Sequence, residues 1–175
     1  MTRSKIINDG LATSGLPAGS IVQVVNVQDS AVASGTTTIA YDDTIMQNTE
    51  GTEFMTLAIT PTSATNKLKI DVVGNFNHDG SSKILSVGLF QDSTADALAT
   101  TCSFESVANS PLPISFTHFM TAGTTSSTTF KVRCGADTSA TVTLNGRDGS
   151  NRRLGGRYAS SITITEIAVW PEQQT

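Results

Sequence analysis

The chain has 175 residues, a formal charge of −4 at pH 7, and only 15% charged residues against 38% hydrophobic and 6% aromatic. That length carries one domain with a modest core, and the acidic balance excludes general electrostatic attraction to nucleic acid or to an anionic membrane. Thr (27) and Ser (20) stand where charge would be; Thr suits a pleated, half-buried surface, so the composition is that of sheet and loop.

Residues 1–19 show no sustained period. Ile6 and Ile7 are the only adjacent bulky pair, and Gly10, Gly15, Pro17 and Gly19 interrupt the rest. The stretch reads as an N-terminal arm in front of a head spanning 20–175. MTRSKIINDG carries two basic residues with no apolar run behind them, so it does not read as a secretory signal. No segment approaches the roughly 20 apolar residues of a membrane span. The arm's Ile6, Ile7, Leu11 and Leu16 are too few to fold alone. They are the candidates for docking on a neighbour.

The first strand is expected over 20–28, with Val22 and Val24 on one face and Ile21, Val25 and Val27 on the other. A strand apolar on both faces is covered on both sides. A Thr-rich strand is expected within 31–41, then a loop over 42–52. EFMTLAIT (53–60) puts Met55, Leu57 and Ile59 on one face. KLKIDVVGNF (67–76) does the same with Leu68, Ile70, Val72 and Phe76, and ILSVGLF (84–90) with Leu85, Val87 and Leu89. His78-Asp79-Gly80 between two alternating runs is a hairpin signal. TADALATT (94–101) fits one helical turn. Strands follow over 114–120 (Ile114, Phe116, Met120), 129–134 (Phe130, Val132, Cys134), 141–144 (Val142, Leu144) and 161–170. In the last, Ile162 and Ile164 share one parity and Ile167 and Val169 the other. A bulge near Thr165–Glu166 would repair the slip. Short strands at about ten-residue spacing give an all-β chain, an antiparallel sandwich or barrel.

Candidate chemistry is sparse. His78 and His118 come without HxH, HExxH or CxxC spacing, so no metal site is assigned. His118 shares parity with Phe116 and Met120 and is expected inward or at an interface. There is no GxSxG elbow and no phosphate-cradling glycine loop, so no catalytic residue, cofactor or enzyme activity is assigned. Cys102 and Cys134 allow one bridge or two buried free thiols. The second is preferred, since nothing marks an oxidising compartment. The one charged cluster is NGRDGSNRRLGGR (145–157), with Arg147, Arg152, Arg153 and Arg157, four of the chain's six arginines. Arg pairs bidentately with carboxylate or phosphate. The segment is either a contact for an acidic partner, more fittingly protein than nucleic acid, or a solvated hairpin tip.

"GLPAGSIVQVVNVQ", "TTTIAYDD", "FMTLAITPTSATNKLKIDVVGN", "LFQDSTADALA" and "SSITITEIAV" resemble a family of small virion proteins of tailed bacteriophages, found as tail-fibre tips, head fibres and standalone capsid-surface proteins. The resemblance covers about residues 15–170. It rests most on the Pro-x-Gly-Ser-Ile entry and the "ITPTSATNKLKIDV" block. It implies a jelly-roll head, similar to tumour-necrosis-factor and C1q heads, assembled as a homotrimer on the virion surface. Candidate trimer contacts are Val22, Val24, Phe54, Phe119 and Trp170. The first function expected from the resemblance is a capsid decoration (cement) protein, docked through its arm onto the major capsid protein. The alternative is a tail-fibre tip or head fibre binding a host-surface glycan or protein through loops 42–52, 92–101 and 145–157. A carbohydrate-active enzyme is a third class, for which the sequence offers no motif.

Overall fold

The computed structural model describes residues 16–169. Twelve strands follow one another: β1 (Ile21–Asp29), β2 (Ala33–Gly35), β3 (Thr52–Ile59), β4 (Lys67–His78), β5 (Lys83–Gln91), β6 (Ala99–Glu105), β7 (Leu112–Thr121), β8 (Thr128–Ala136), β9 (Val142–Leu144), β10 (Gly146–Arg147), β11 (Asn151–Arg152) and β12 (Ser160–Ile167). The only helical piece among the described residues is a 3-10 turn, Leu154–Gly156.

The pairing is nested. β1 pairs with β12, β3 with β8, β4 with β7 and β5 with β6, all antiparallel. A long hairpin wound on itself in this way is a jelly roll. Further pairings, β12 with β4 and β8 with β5, close the wound hairpin into two sheets. One sheet runs β1-β12-β4, with β7 on the far edge of β4 and β9-β2 on the near edge. The other runs β3-β8-β5-β6. Alternation decides what lies between them. Leu68, Ile70, Val72 and Phe76 from β4 and Ile162 and Ile164 from β12 meet Leu85, Val87 and Leu89 from β5 and Phe130, Val132 and Cys134 from β8, all essentially without exposure. Burying side chains of this size contributes about 1.5–3 kcal/mol each.

Three departures from the sequence reading have physical causes. First, β12 carries no bulge. It alternates without a slip from Ser160 to Ile167, so Glu166 points inward with no accessible surface. The irregularity sits on the partner strand at Val22, between Ile21 and Gln23. This bulge turns Gln23 toward Glu166, leaves Val22 half-buried, and sends Ile21 and Val24 outward. Second, 94–101 makes no helical turn: 99–105 is β6, the edge strand of the second sheet. Third, only Ala33–Gly35 of the expected 31–41 strand pairs. The chain beyond it crosses the outer face of the second sheet, where Ile39 and Met46 bury against Phe90. Gly135 permits that approach, since a Cβ there would lie 2.6 Å from Thr37 O.

Glu166 is held by five donors. Its Oε1 accepts from Thr62 N (2.9 Å), Thr62 Oγ1 (2.8 Å), Ser63 N (3.3 Å) and Asn66 Nδ2 (2.7 Å), and its Oε2 from Gln23 Nε2 (2.6 Å). Burial by itself raises the carboxyl pKa; the hydrogen bonds from Asn66, Gln23 and Thr62 outweigh it and hold the group below the usual glutamate range,.

The two cysteines lie on opposite faces of the second sheet. Cys134 is buried, as its parity with Phe130 and Val132 requires, and burial pushes its thiol pKa well up. Cys102 is exposed on β6, not buried as expected, and both thiols are free. His78 also differs from its expected place in a turn. It closes β4, fully buried, with Nδ1 2.7 Å from Gly80 O.

Two measurements follow. A native-state maleimide reaction read by mass spectrometry should label Cys102 alone, with Cys134 reacting only after unfolding. Glu166→Gln should cost about 1.5–3 kcal/mol at pH 7, the range for a hydrogen-bonded charged group, measured by urea unfolding. The sign with pH is fixed by the depressed native pKa. The wild-type advantage is complete above the unfolded value of about 4.3 and is lost as pH falls through the native value. The wild-type and Glu166→Gln curves should therefore converge in acid; a gap independent of pH would show that the carboxylate charge is not what matters.

Candidate functional site

The arginine segment is built on a short hairpin. β10 and β11 are joined through Asp148 and Gly149, both at positive φ (52° and 78°). The loop has three residues, Asp148 to Ser150, and Ser150 N donates to Arg147 O (3.3 Å) across Asp148 and Gly149, the residue types that tolerate positive φ in a turn,. The root of the hairpin is Asn145, fully buried at φ 57°. Its Nδ2 donates to Asp29 O (2.9 Å) and Ala31 O (3.2 Å), and its Oδ1 accepts from Ser160 Oγ (2.6 Å). This fixes the hairpin to the end of β1 and the start of β12.

The turn brings two of the four arginines together. Arg147 Nε lies 3.7 Å and Arg153 Nη2 3.9 Å from Asp148 Oδ2, with all three side chains about half exposed. Contacts this long and this wet contribute little, so both guanidinium groups keep donors free. Arg152 packs instead along Gly156, and Arg157 is exposed.

Arg147 and Arg153 form one wall of a cavity of about 350 Å³. Asn77 at the end of β4, Asn109 and Pro111 from the β6–β7 loop, and Leu154 and Tyr158 complete it. Three of these side chains carry buried polar atoms with no partner among the described residues: Asn77 Oδ1, Asn109 Oδ1 and Tyr158 Oη. Asn77 is 2% exposed, and its Nδ2 donates to Gly146 O, so the free Oδ1 is an acceptor. Burial raises the Tyr158 pKa and keeps its proton on. The sequence showed the arginines but not the asparagines, which reach the cavity from segments some 35–70 positions upstream.

A second surface is the outer face of the β1-β12-β4-β7 sheet. Ile21 (63% exposed), Val24 (53%), Val73 (43%) and Phe119 (59%) project from it. The register places Val24, Thr165, Lys69 and Phe119 in one row across four strands. The polar groups between are satisfied within the face. Lys69 Nζ pairs with Asp71 at 2.7 Å, Thr117 Oγ1 donates to Asp71 at 2.6 Å, and Lys67 Nζ to Thr121 Oγ1 at 2.7 Å. Of the expected trimer contacts, Val24 and Phe119 face out here. Phe54 does not: an irregularity between Glu53 and Met55 turns it inward, edge-on to Phe76 with ring centroids 5.6 Å apart. Trp170 lies outside the described residues, as do Ile6, Ile7 and Leu11 of the arm; Leu16 is half-buried. His118 is half-buried on the inner side of β7, and burial lowers its pKa.

The expected reader loops separate. The 42–52 and 92–101 segments meet, with Asn48 N donating to Ala95 O (2.7 Å) and Gln47 Nε2 to Asp96 Oδ1 (2.9 Å). Together with β6 they border an open cleft of about 550 Å³ that includes Tyr41, Asp42 and Thr100. Loop 145–157 sits at the opposite end of the sandwich, beside the β6–β7 loop.

No family model matches the sequence, and no curated protein matches it. Among solved structures, the chain is similar to Eiger TNF from S. frugiperda at 9% identity, covering 87% of this chain and 98% of that one, with a TM-score of 0.44. A structure of infectious bursal disease virus Gx strain gives 12% identity over 87% of this chain and 38% of that one, TM-score 0.40. The enzymatically active domain of bacteriophage CBA120 tailspike protein 4 gives 10% over 70% and 18%, TM-score 0.28. Superpositions this loose transfer neither partner nor substrate to this chain.

Proposed function

We propose that the chain is a structural protein of a tailed-bacteriophage virion, a homotrimeric capsid decoration protein that docks through its N-terminal arm and reinforces the shell. The observation that carries the reading is the outer face of the β1-β12-β4-β7 sheet. Lys69 pairs with Asp71 and Lys67 donates to Thr121 within the face, and Ile21, Val24, Val73 and Phe119 project from it. Four exposed apolar side chains spread over one sheet face, with Thr165 and Lys69 between Val24 and Phe119, are what an association surface would use, whereas one alone would be ordinary,. The arm enters this same sheet. Gly19 N donates to Ala168 O (2.8 Å) and Ala168 N to Ser20 O (2.9 Å), next to the Ile21–Ile167 pair. Three arms held on one trimer would multiply weak contacts through effective concentration. The quoted sequence blocks supply the virion assignment.

A second reading is favoured by the cleft between loops 42–52 and 92–101. In it the same head is a tail-fibre tip or head fibre, and Tyr41 with the neighbouring carboxylates and hydroxyls reads a host-surface glycan.

Purified protein should sediment as a trimer. Val24→Asp with Phe119→Asp should shift it to monomer with an unchanged β-sheet spectrum, weakening association at least about 100-fold, as expected for central apolar contacts. Removing residues 1–15, which spares the Gly19–Ala168 pairing, should abolish binding to capsids while the trimer persists. Label found on the tail of intact virions, and not on the shell, would replace the first reading with the second.

A further inference from the structure

The cavity beneath the arginine hairpin is a built site, and its chemistry specifies more than an acidic contact. Its walls present two kinds of demand. Asn77 Oδ1 is a buried acceptor waiting for a donor, with Asn109 Oδ1 and Tyr158 Oη unpartnered beside it. Arg147 and Arg153 present cationic donors at the rim. Pro111 and Leu154 add apolar surface. A bare carboxylate or a phosphodiester accepts hydrogen bonds only; it would answer the arginines and leave Asn77 Oδ1 unpartnered, at the cost of a buried unsatisfied group. An extended peptide offers N–H groups that alternate in direction along a strand, which suits a sheet edge better than a pocket of about 350 Å³. Water can fill the site in the absence of a ligand but leaves the arginines without a counter-charge beyond Asp148.

We propose that this cavity binds a single acidic sugar residue, its ring hydroxyls donating to Asn77 and Asn109 and exchanging a hydrogen bond with Tyr158, its carboxylate on Arg147 and Arg153, and its C–H face against Pro111 and Leu154. A volume of about 350 Å³ lies at the small end of ligand pockets and suits one ring, not an oligosaccharide. The inference goes beyond the capsid reading and needs neither the trimer nor the arm, so either can fail without the other.

The test is an NMR titration of the purified full chain with glucuronate, galacturonate and N-acetylneuraminate, with glucose and acetate as controls. At least one acidic sugar should shift the side-chain amide signals of Asn77 and Asn109, with a dissociation constant on the order of 1 mM. Glucose should bind about tenfold more weakly or worse, and acetate should leave the amides unmoved at the same concentration. Tyr158→Phe and Arg153→Ala, at half-buried and exposed positions respectively, should each weaken binding about five- to tenfold. An unchanged thermal midpoint would show that the fold is intact. The proposal is overturned if none of the three acids binds, if the shifts map elsewhere, if both variants bind like wild type, or if acetate matches the sugars. That last result would mean that the site reads a carboxylate alone.

Discussion

The buried carboxylate of Glu166 is the interaction on which the closure of this sandwich depends. A jelly roll is shut by joining its first strand to its last, and here that seam is β1 against β12. Glu166 lies on the seam, facing inward at a position where an apolar residue would have been the simpler choice. An unpaired charge there would cost several kcal/mol. It is tolerated because Gln23 arrives from β1 and Thr62, Ser63 and Asn66 from the β3–β4 loop, segments about 100 to 143 positions away in sequence. The same donors that neutralise the cost fix the register of β1, since a one-residue slip would carry Gln23 to the outside. Asn66 then extends the network: its backbone O accepts from Ala122 N, where β7 ends, and its Oδ1 from Val169 N.

Closure at this seam makes the two outer faces unequal. The second sheet is roofed by residues 36–51, which bury Ile39 and Met46 on Phe90. The first sheet has no such cover among the described residues, and its apolar side chains stay in water. The arm enters at that sheet because β1 begins there. The point where residues 16–20 join the head and the exposure of the face are therefore two consequences of one topology.

The alternating strands were legible because large residues obey the period: β4, β5, β8 and β12 lie within two or three residues of where Leu, Ile, Val and Phe placed them. β6 was hidden. ATTCSFE carries small and hydroxyl side chains on its inner side and Phe104 on its exposed one, so its pattern gives the wrong face to anyone reading hydrophobicity. The supposed bulge at Thr165–Glu166 failed for a different reason. A glutamate at a core position looks like a slip unless its donors are known, and those donors come from across the fold. Likewise the arginines announced a charged tip, but only the Asp148–Gly149 turn selects Arg147 and Arg153, and no local pattern ties them to Asn77 or Asn109.

Where local rules break, they break together. Six non-glycine residues among those described have positive φ, and four of them, Asn109, Asn145, Asp148 and Leu154, surround or support the hairpin cavity. Asn and Asp tolerate that conformation, but Leu154 does not do so cheaply, and it is also among the most exposed apolar side chains. Among the described residues one further buried side-chain atom, Nε2 of His78 next to Asn77 in β4, lacks a partner, whereas even the core carboxylate has five donors. A sequence that meets its hydrogen-bond demands so fully at Glu166 has no general difficulty in doing so. Unpartnered Asn77, Asn109 and Tyr158 atoms gathered beside strained backbone and loosely paired arginines are therefore a property of that end of the molecule. Strain and unmet polar groups concentrated at one place are what a binding site costs a fold.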